Sequence, residues 1–237
     1  MSGRTFDLVL SQGVSVIFGP LSMTAYNVNG VSFDMVCLPP GRFVDGEGPT
    51  RRELLVSRPF ELGFTPVTQA LWRAVTGLSP ANFKGEDRPV ENVSYDDVQA
   101  FLARLPPLGL TGFRLPTEAE WVWAARCGAP TRWAGADRSK PVAVAAARQT
   151  GLVAGLNPGP VGISDQSGNV YEWAGDWHER LPLAGFDLQG PASGSYRVFR
   201  GGSWSFVPRY ARVAARRHDH PGSRSFILGV RLLRTAG

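Results

Sequence analysis

Residues 198–204 read Val-Phe-Arg-Gly-Gly-Ser-Trp, and the rest of the chain is organised around this stretch. Its first residues are typical of a buried strand, and the glycine pair predicts a turn. Residues 205–227 then follow neither a helical nor a strand period, and residues 228–232 return to a strand-like pattern. We therefore expect residues 205–227 to form a surface segment that the remaining chain presents.

The composition predicts one folded, loop-rich domain. With 237 residues, 43% of them hydrophobic and 19% charged, the chain is long enough to bury a sizeable core and is not of the disordered class. The 28 glycines and 19 prolines predict many turns and short elements.

The positive charge is carried almost entirely by arginine. Nine arginines lie between residues 197 and 234, against one acid, Asp219. Such a face could attract nucleic acid. The favoured alternative is that these arginines pair with carboxylates and carbonyls of the fold, because no basic run with interleaved aromatic residues accompanies them.

Two cysteines, Cys37 and Cys127, stand in apolar surroundings and predict buried, reduced thiols rather than a disulfide framework. The apolar stretch near the N-terminus is broken by Asp7 and is a poor secretory signal. No apolar run reaches the length of a membrane span. These features predict a cytoplasmic protein.

Three helices are predicted from their caps. Thr68 and Ser94 are N-cap candidates for the first two, and Thr117 with Glu120 forms a capping box for the third. Strands are predicted at residues 6–10, 14–18, 33–38, 54–62 and 113–115, and a surface loop at 43–52. We expect one α+β domain with few short strands, about three helices and an N-terminal extension, residues 1–30, packed on a domain at 31–237.

Six landmarks occur in one order along the chain. They are residues 66–69 (PVTQ), 89–94 (PVENVS), 113–121 (FRLPTEAEW), 168–173 (GNVYEW), 200–204 (RGGSW) and 229–231 (GVR). Together they resemble the formylglycine-generating-enzyme (sulfatase-modifying factor) family. This resemblance implies a variant of the C-type lectin fold for residues 31–233.

The same resemblance argues against two activities of the family. Its oxidase members bind copper through two cysteines, and the aligned places here carry Phe206 and Ala211, which cannot ligate copper. Its iron-dependent sulfoxide synthases take histidine ligands from an additional helical domain, whereas this chain has only His178, His218 and His220. We therefore expect no enzyme of either kind.

A third branch fits better, since the segment resembles the variable region of proteins diversified by retroelements. In that group asparagine codons vary at their adenines, which cannot yield Lys, Glu, Gln, Met or Trp, and none of these occurs in residues 205–227. The resemblance implies a constant framework at Arg209, Arg212, Ala214, Arg216, Pro221, Arg224, Leu228 and Gly229. It implies variable, ligand-binding positions at Ser205, Phe206, Val207, Tyr210, Ala215, Arg217, Asp219, Ser223, Ser225, Phe226 and Ile227, while His218 and His220 fit either set.

The resulting hypothesis is a binding protein for an unknown macromolecular or surface ligand. Phe206, Tyr210 and Phe226 would supply stiff contact area, and the serine and aspartate positions adaptable polar contacts. The alternative is that the large apolar residues of the segment are ordinary core residues of a fixed protein. A family enzyme with noncanonical chemistry, built around a groove lined by Trp204 and Arg216, also stays open.

Other sites are possible on residue type alone. A structural calcium ion could be held by Asp165, Gly168, Val170 and Glu172, as the resemblance implies and as the oxygen-rich turn allows, or the turn could be plain. His218 and His220 could clip a transition metal. Asp176 and His178 could do acid–base work, although no nucleophile is placed beside them by spacing.

Overall fold

The computed structural model describes residues 6–9, 15–18, 21–127, 131–136, 147–155, 159, 161–180 and 184–235. These residues form a mixed α+β architecture, as predicted. Residues 128–162 are rich in Ala, Gly and Pro with little periodicity, which predicts an irregular stretch, and this stretch lies partly outside the described residues.

The three predicted helices are confirmed: α1 Gln69–Thr76, α2 Tyr95–Leu102 and α3 Glu118–Arg126. Each begins at its predicted cap, where Thr68, Ser94 and Thr117 accept backbone N–H groups three residues on. These side chains satisfy amide groups that a helix N-terminus otherwise leaves unpaired. Short 3-10 turns occur at Gly48–Thr50, Pro106–Leu108 and Pro208–Ala211.

The strands are short, as predicted, and more numerous than expected. In chain order they are β1 Phe6–Val9, β2 Ser15–Phe18, β3 Met23–Val28, β4 Val31–Leu38, β5 Gly41–Asp45, β6 Arg52–Val56, β7 Phe60–Gly63, β8 Phe113–Arg114, β9 Tyr171–Trp177, β10 Gly185–Phe186, β11 Arg197–Arg200, β12 Arg217–Asp219, β13 Leu228–Gly229 and β14 Leu233–Thr235.

These strands form four sheets. The largest has the order β3-β4-β7-β14-β8, and the sheet beneath the segment of interest has the order β12-β11-β9-β13. A third sheet joins β10, β6 and β5, and β1 pairs with β2. Because β3 pairs with β4 along its whole length, residues before 31 contribute an edge strand to the main sheet. The boundary at residue 31 stays a prediction.

Two sequence expectations were wrong. Residues 54–62 are not one strand but parts of β6 and β7, separated at residues 57–59, where Pro59 is exposed. Residues 43–52 are not simply a surface loop, since Phe43 and Asp45 on β5 are buried. The second error concerns residues whose burial depends on partners distant in sequence, such as Arg200 beside Asp45.

The core has two parts that meet at the sheets. One packs α3 against β5 and β6, with Phe43 beside Trp123. The other packs α1 and α2 against β4 and β9, with Trp72 stacked on Phe101 at a centroid distance of 4.8 Å. Trp121 on α3 is fully buried.

A completely buried ion pair links several of the landmark stretches. Both side chains of Arg231 and Glu172 are 0% exposed, and Arg231 Nη2 lies 2.7 Å from Glu172 Oε1. Arg231 also donates to the carbonyls of Gly63 and Ser164, at 2.8 Å each. Trp121 Nε1 donates to Glu172 Oε2 at 2.6 Å. The pair therefore ties together α3, β7, β9 and the chain after β13.

A second buried network surrounds Arg200. Its guanidinium lies 2.9 Å from Asp45 Oδ2 and donates from Nε to Glu118 Oε1 at 2.8 Å, while Nη1 donates to the Val213 carbonyl at 2.7 Å. Arg216 donates to the same Glu118 oxygen at 2.6 Å. Burial would raise the pKa of Glu118, but the charges of Arg200 and Arg216 hold it below its ordinary value.

We predict that Arg231→Met destabilises the protein by about 3–5 kcal/mol, because it leaves the Glu172 carboxylate buried without its cation. Chemical denaturation measures this change. The matched control is Arg224→Gln, which breaks an exposed ion pair with Asp97 and should change stability little. Equal effects of the two substitutions would contradict the role assigned to the buried pair.

Candidate ligand-binding surface

The segment 205–227 is anchored firmly at both ends. Gly201 and Gly202 have φ angles of +102° and +78°, in the left-handed region that favours glycine. A Cβ on Gly202 would lie 2.6 Å from the Cα of Ala211, so no larger residue fits there. At the other end β13 pairs in parallel with β9 through Leu228 and Gly229.

None of the eleven predicted variable positions is buried. Ser205, Val207, Arg217, Asp219 and Phe226 are exposed, and Phe206, Tyr210, Ala215, Ser223, Ser225 and Ile227 are half-buried. By contrast, Ala211 and Val213 within the segment, and Leu228 and Gly229 after it, are buried. The segment thus has a few inward residues that hold it and many outward ones.

An aromatic and cationic cluster forms the first part of this surface. The rings of Phe206 and Tyr210 lie 5.5 Å apart, centroid to centroid. The Arg217 guanidinium lies 4.7 Å from the Tyr210 centroid and 5.9 Å from that of Phe206. Arg209 lies 4.8 Å from the same Tyr210 ring and donates to its hydroxyl. We call these four residues the arginine–tyrosine cluster.

A second aromatic group forms around Trp204. Its ring lies 5.9 Å from Phe226 and 5.1 Å from Phe83, and its Nε1 donates to the Phe226 carbonyl. Phe226 is 48% exposed, whereas Trp204 is buried. Trp204 therefore supports the ring that Phe226 presents to solvent.

The polar positions are held by local hydrogen bonds. Asp219 Oδ1 accepts from the Ser223 hydroxyl at 2.9 Å and from the His220 N–H at 2.7 Å. The Ser225 carbonyl accepts from the Asn92 N–H at 2.9 Å. These contacts order the turn after β12 without burying the side chains of the predicted variable positions.

Two predicted surface residues are also part of the packing. Phe206 and Ile227 are half-buried and pack against the part of the core that contains α1 and α2. The alternative that these are core residues therefore holds in part for Phe206 and Ile227, and does not describe Phe226. Sequence reasoning missed Phe83 and Tyr171 as supports of the surface. Their only signal was that Tyr171 belongs to the landmark at 168–173 and that Phe83 lies shortly before the landmark at 89–94.

Most arginines of the region are neutralised within the fold. Besides Arg200 and Arg231, four form ion pairs: Arg212 with Glu47, Arg216 with Glu118, Arg224 with Asp97 and Arg234 with Glu61. Arg197 packs over the rings of Tyr95 and Trp177. This arrangement matches the favoured interpretation that the arginines have structural partners.

The calcium site at Asp165, Gly168, Val170 and Glu172 stays a prediction, and three of these residues already have contacts within the fold. Both oxygens of Glu172 are taken by Arg231 and Trp121, so this carboxylate is compensated already. Asp165 Oδ2 accepts the Ala154 N–H at 2.6 Å. Gly168 donates its N–H to the Gly201 carbonyl, which gives the turn a structural role.

The histidines and the aspartate that could form a metal or acid–base site make other contacts within the fold. His218 stacks on His178 with centroids 3.7 Å apart. His220 Nδ1 accepts from the Gly222 N–H. Within the described residues, no group of three or more His, Cys, Asp or Glu side chains is placed to hold a metal ion. Asp176 accepts the Glu118 N–H at 2.6 Å, at the base of α3.

The groove postulated between Trp204 and Arg216 has no direct support from their contacts. Trp204 contacts Phe83 and Phe226, whereas Arg216 donates to Glu118 and to the Glu179 carbonyl. The two side chains therefore share none of these partners.

Both cysteines are free thiols. Cys127 is buried, as predicted, and burial raises the pKa of its thiol to about 12. Cys37 is half-buried rather than buried. Across the described parts of the chain, no helix is long and apolar enough to span a membrane.

The α+β architecture described above is that of a C-type-lectin-like domain. The sequence profile of the sulfatase-modifying factor enzyme 1-like domain matches residues 27–236, and the chain belongs to this family. A formylglycine-generating enzyme of Streptomyces coelicolor is 36% identical over 190 residues, covering 70% of this chain and 58% of that enzyme. The serine/threonine-protein kinase pkn1 of Chlamydia pneumoniae is 39% identical over 133 residues, which cover 51% of this chain and 20% of the kinase.

Solved structures agree with this assignment. Variable protein 1 of Treponema denticola superimposes with a TM-score of 0.84 and 30% identity, over 90% of this chain and 99% of that protein. PvdO of Pseudomonas aeruginosa superimposes with a TM-score of 0.74 and 24% identity, over 86% of this chain and 94% of that one, and shows the shared fold. The predicted resemblance, to the family and to a variable protein, is confirmed.

Burial and the neighbouring Glu118 charge raise the pKa of Asp176 to about 7. In the unfolded chain the same aspartate ionises near pH 4. Between about pH 4 and about pH 7 only the folded chain retains the proton, so the free energy of unfolding falls as the pH rises. We predict that the stability of Asp176→Asn minus that of wild type increases from pH 5 to pH 8, by an amount on the order of 2–4 kcal/mol. Urea denaturation at both pH values measures it.

Asp97→Asn is the matched control for this experiment. Its partner Arg224 holds the pKa of Asp97 below the ordinary value, so its difference from wild type should stay constant between pH 5 and pH 8. A constant difference for Asp176→Asn as well would contradict the buried, proton-retaining state of Asp176.

Proposed function

We propose that this protein binds a macromolecular or surface ligand through the outward side chains of residues 205–227, and that these positions are diversified by a retroelement. The observation that carries the proposal is that all eleven predicted variable positions are exposed or half-buried. Substitutions at such positions cost little, whereas buried positions tolerate few. The similarity to a variable protein over almost the whole of that protein supports the same function.

The scaffold suits such a function. Buried arginines stand on either side of the segment, at Arg200 and Arg231, and both are fully ion-paired. Rigid anchors limit the conformational entropy that the segment loses when it binds a ligand. Aromatic residues at exposed positions, such as Phe226 and Tyr210, provide contact area with few rotatable bonds.

We further propose that the protein lacks the copper oxidase activity of its relatives. At the two aligned ligand positions Phe206 contributes a ring that packs on Tyr171, and Ala211 is buried against the Gly202 turn. Neither side chain can ligate copper. Cys127 is buried, and its high thiol pKa disfavours the thiolate that a metal requires.

The diversification hypothesis is tested by sequencing the gene across a population and searching the flanking DNA for a near-copy of its end. We expect substitutions confined to the eleven positions, with adenines at the matching sites of the copy. A uniform gene without a nearby copy would contradict it. This test requires no knowledge of the ligand.

For the folded protein, we predict that Phe226→Ala costs about 1 kcal/mol or less, because the ring is half exposed. Tyr210→Ala should likewise shift the melting temperature little. The matched control is Phe199→Ala, whose ring is buried between Tyr171 and Trp173 and whose loss should cost about 3–5 kcal/mol. If either surface substitution destabilised the protein as much as the control, the binding surface assigned here would be wrong.

A further inference from the structure

A buried hydroxyl lies at the base of the arginine–tyrosine cluster. Tyr171 is 1% exposed, and its hydroxyl has no hydrogen-bond partner among the described residues. Its ring contacts Phe206 at a centroid distance of 6.0 Å. Burial raises the pKa of this phenol, and the charge of Arg217 and its side-chain hydrogen bonding lower the pKa in part. Arg217 is therefore near enough to act on the hydroxyl, although no contact among the described residues has the geometry of a full hydrogen bond, which buried polar groups usually have.

Two guanidinium groups stand over the same surface. Arg209 and Arg217 approach the Tyr210 ring at 4.8 and 4.7 Å, and hydrogen bonding and charge from Arg209, with the charge of Arg217, lower the pKa of its hydroxyl. No carboxylate pairs with either arginine within the described part of the chain, unlike their neighbours in sequence. The cluster therefore carries positive charge that the fold does not neutralise.

Two acids that contact the segment or belong to it have partners elsewhere. Asp219, two residues after Arg217, accepts from Ser223 and from the His220 amide. Glu47 accepts two hydrogen bonds from Arg212 Nη1. These acids have partners of their own, so an anion that reaches the cluster meets two guanidinium groups and aromatic walls.

We propose that the arginine–tyrosine cluster, together with the Tyr171 hydroxyl, is a recognition site for a carboxylate side chain of an acidic protein partner. Guanidinium groups bind carboxylates through strong, directional, charge-assisted hydrogen bonds. Aromatic walls suit the aliphatic stem of a glutamate. This site rests on the proposed binding function and gives it a ligand chemistry.

A carboxylate fits better than a nucleic-acid backbone. Phosphate chains are bound by rows of cations, each adding to a steep dependence on salt. Six of the nine arginines between residues 197 and 234 are instead paired with acids of the fold. Two guanidinium groups beside one buried hydroxyl match one or two carboxylates rather than an extended chain.

Part of this site lies outside the predicted variable positions. Tyr171 belongs to β9, and Arg209 is one of the framework candidates, whereas Phe206, Tyr210 and Arg217 are variable candidates. The preference for an acidic partner would thus be carried partly by fixed residues and adjusted by the variable ones.

The test uses a fluorescein-labelled tetraglutamate peptide with blocked ends, and tetraglutamine as the uncharged probe, measured by fluorescence anisotropy at low salt. We expect binding of the glutamate peptide only, weakened by added salt. Arg217→Gln and Arg209→Gln should each weaken it about tenfold. Tyr171→Phe, which removes only the hydroxyl, should weaken it about threefold.

Arg224→Gln is the matched control, because this exposed arginine of the same segment is already paired with Asp97 and should leave the peptide affinity unchanged. Circular dichroism on each variant confirms that it is folded. Equal binding of the two peptides, unchanged affinity in the Arg209 and Arg217 variants, or an equal loss in Arg224→Gln would overturn the proposal. Tighter binding of oligothymidylate than of tetraglutamate would overturn it in favour of nucleic acid.

These outcomes are distinguishable from failure of the proposed function. If the gene varies at the predicted positions but tetraglutamate does not bind, the diversification hypothesis is supported and the carboxylate-site proposal is wrong. If the gene is uniform but the peptide binds through Arg217 and Arg209, the protein has an invariant site for an acidic partner and the diversification hypothesis is wrong.

Discussion

The whole structure depends on the ion pair between Arg231 and Glu172. Both side chains are excluded from water, and every contact of the guanidinium falls on a different part of the chain: Gly63, Ser164 and Glu172. Such a pair is tolerated only when its remaining hydrogen-bonding groups are satisfied, because an uncompensated buried charge is very costly. Satisfying it here requires β7, β9, α3 and the C-terminal strands to meet in one arrangement. The pair therefore specifies how the elements assemble, whatever its net contribution to stability.

The same constraint explains how a surface segment can be free in sequence and still fixed in position. Arg200, just before the segment, is locked by Asp45 and Glu118, and Arg231, just after it, is locked by Glu172. Between these anchors, the inward residues Ala211 and Val213 hold the backbone against the core. The eleven outward positions of the segment are exposed or half-buried, and we propose that their identity is available for recognition. A rigid frame with an adaptable face is the property that a diversified binding protein requires.

Local signals in the sequence predict the local structure well. The caps at Thr68, Ser94 and Thr117 mark the three helices, because each capping hydrogen bond joins a side chain to a backbone N–H only three residues further along the chain. The landmark stretches predict the family because they contain the arginines and acids that form the buried ion pairs of this fold. What local patterns miss is long-range pairing: Asp45 reaches Arg200 across 155 residues, which places a supposed surface loop in the core. For the same reason the sequence around Glu172 does not reveal its ion-pair partner Arg231, which lies 59 residues away.

The central claim is that residues 205–227 combine a few structural positions with a face that folding leaves free. It is tested most directly by replacing each of these residues, together with 228 and 229, with all other amino acids and measuring the protease resistance of every displayed variant. The account predicts broad tolerance at the exposed positions, such as Ser205, Arg217 and Phe226, and loss of folding for most changes at Ala211, Val213 and Gly229. Uniform intolerance along the segment would contradict it, since the face would then be part of the core.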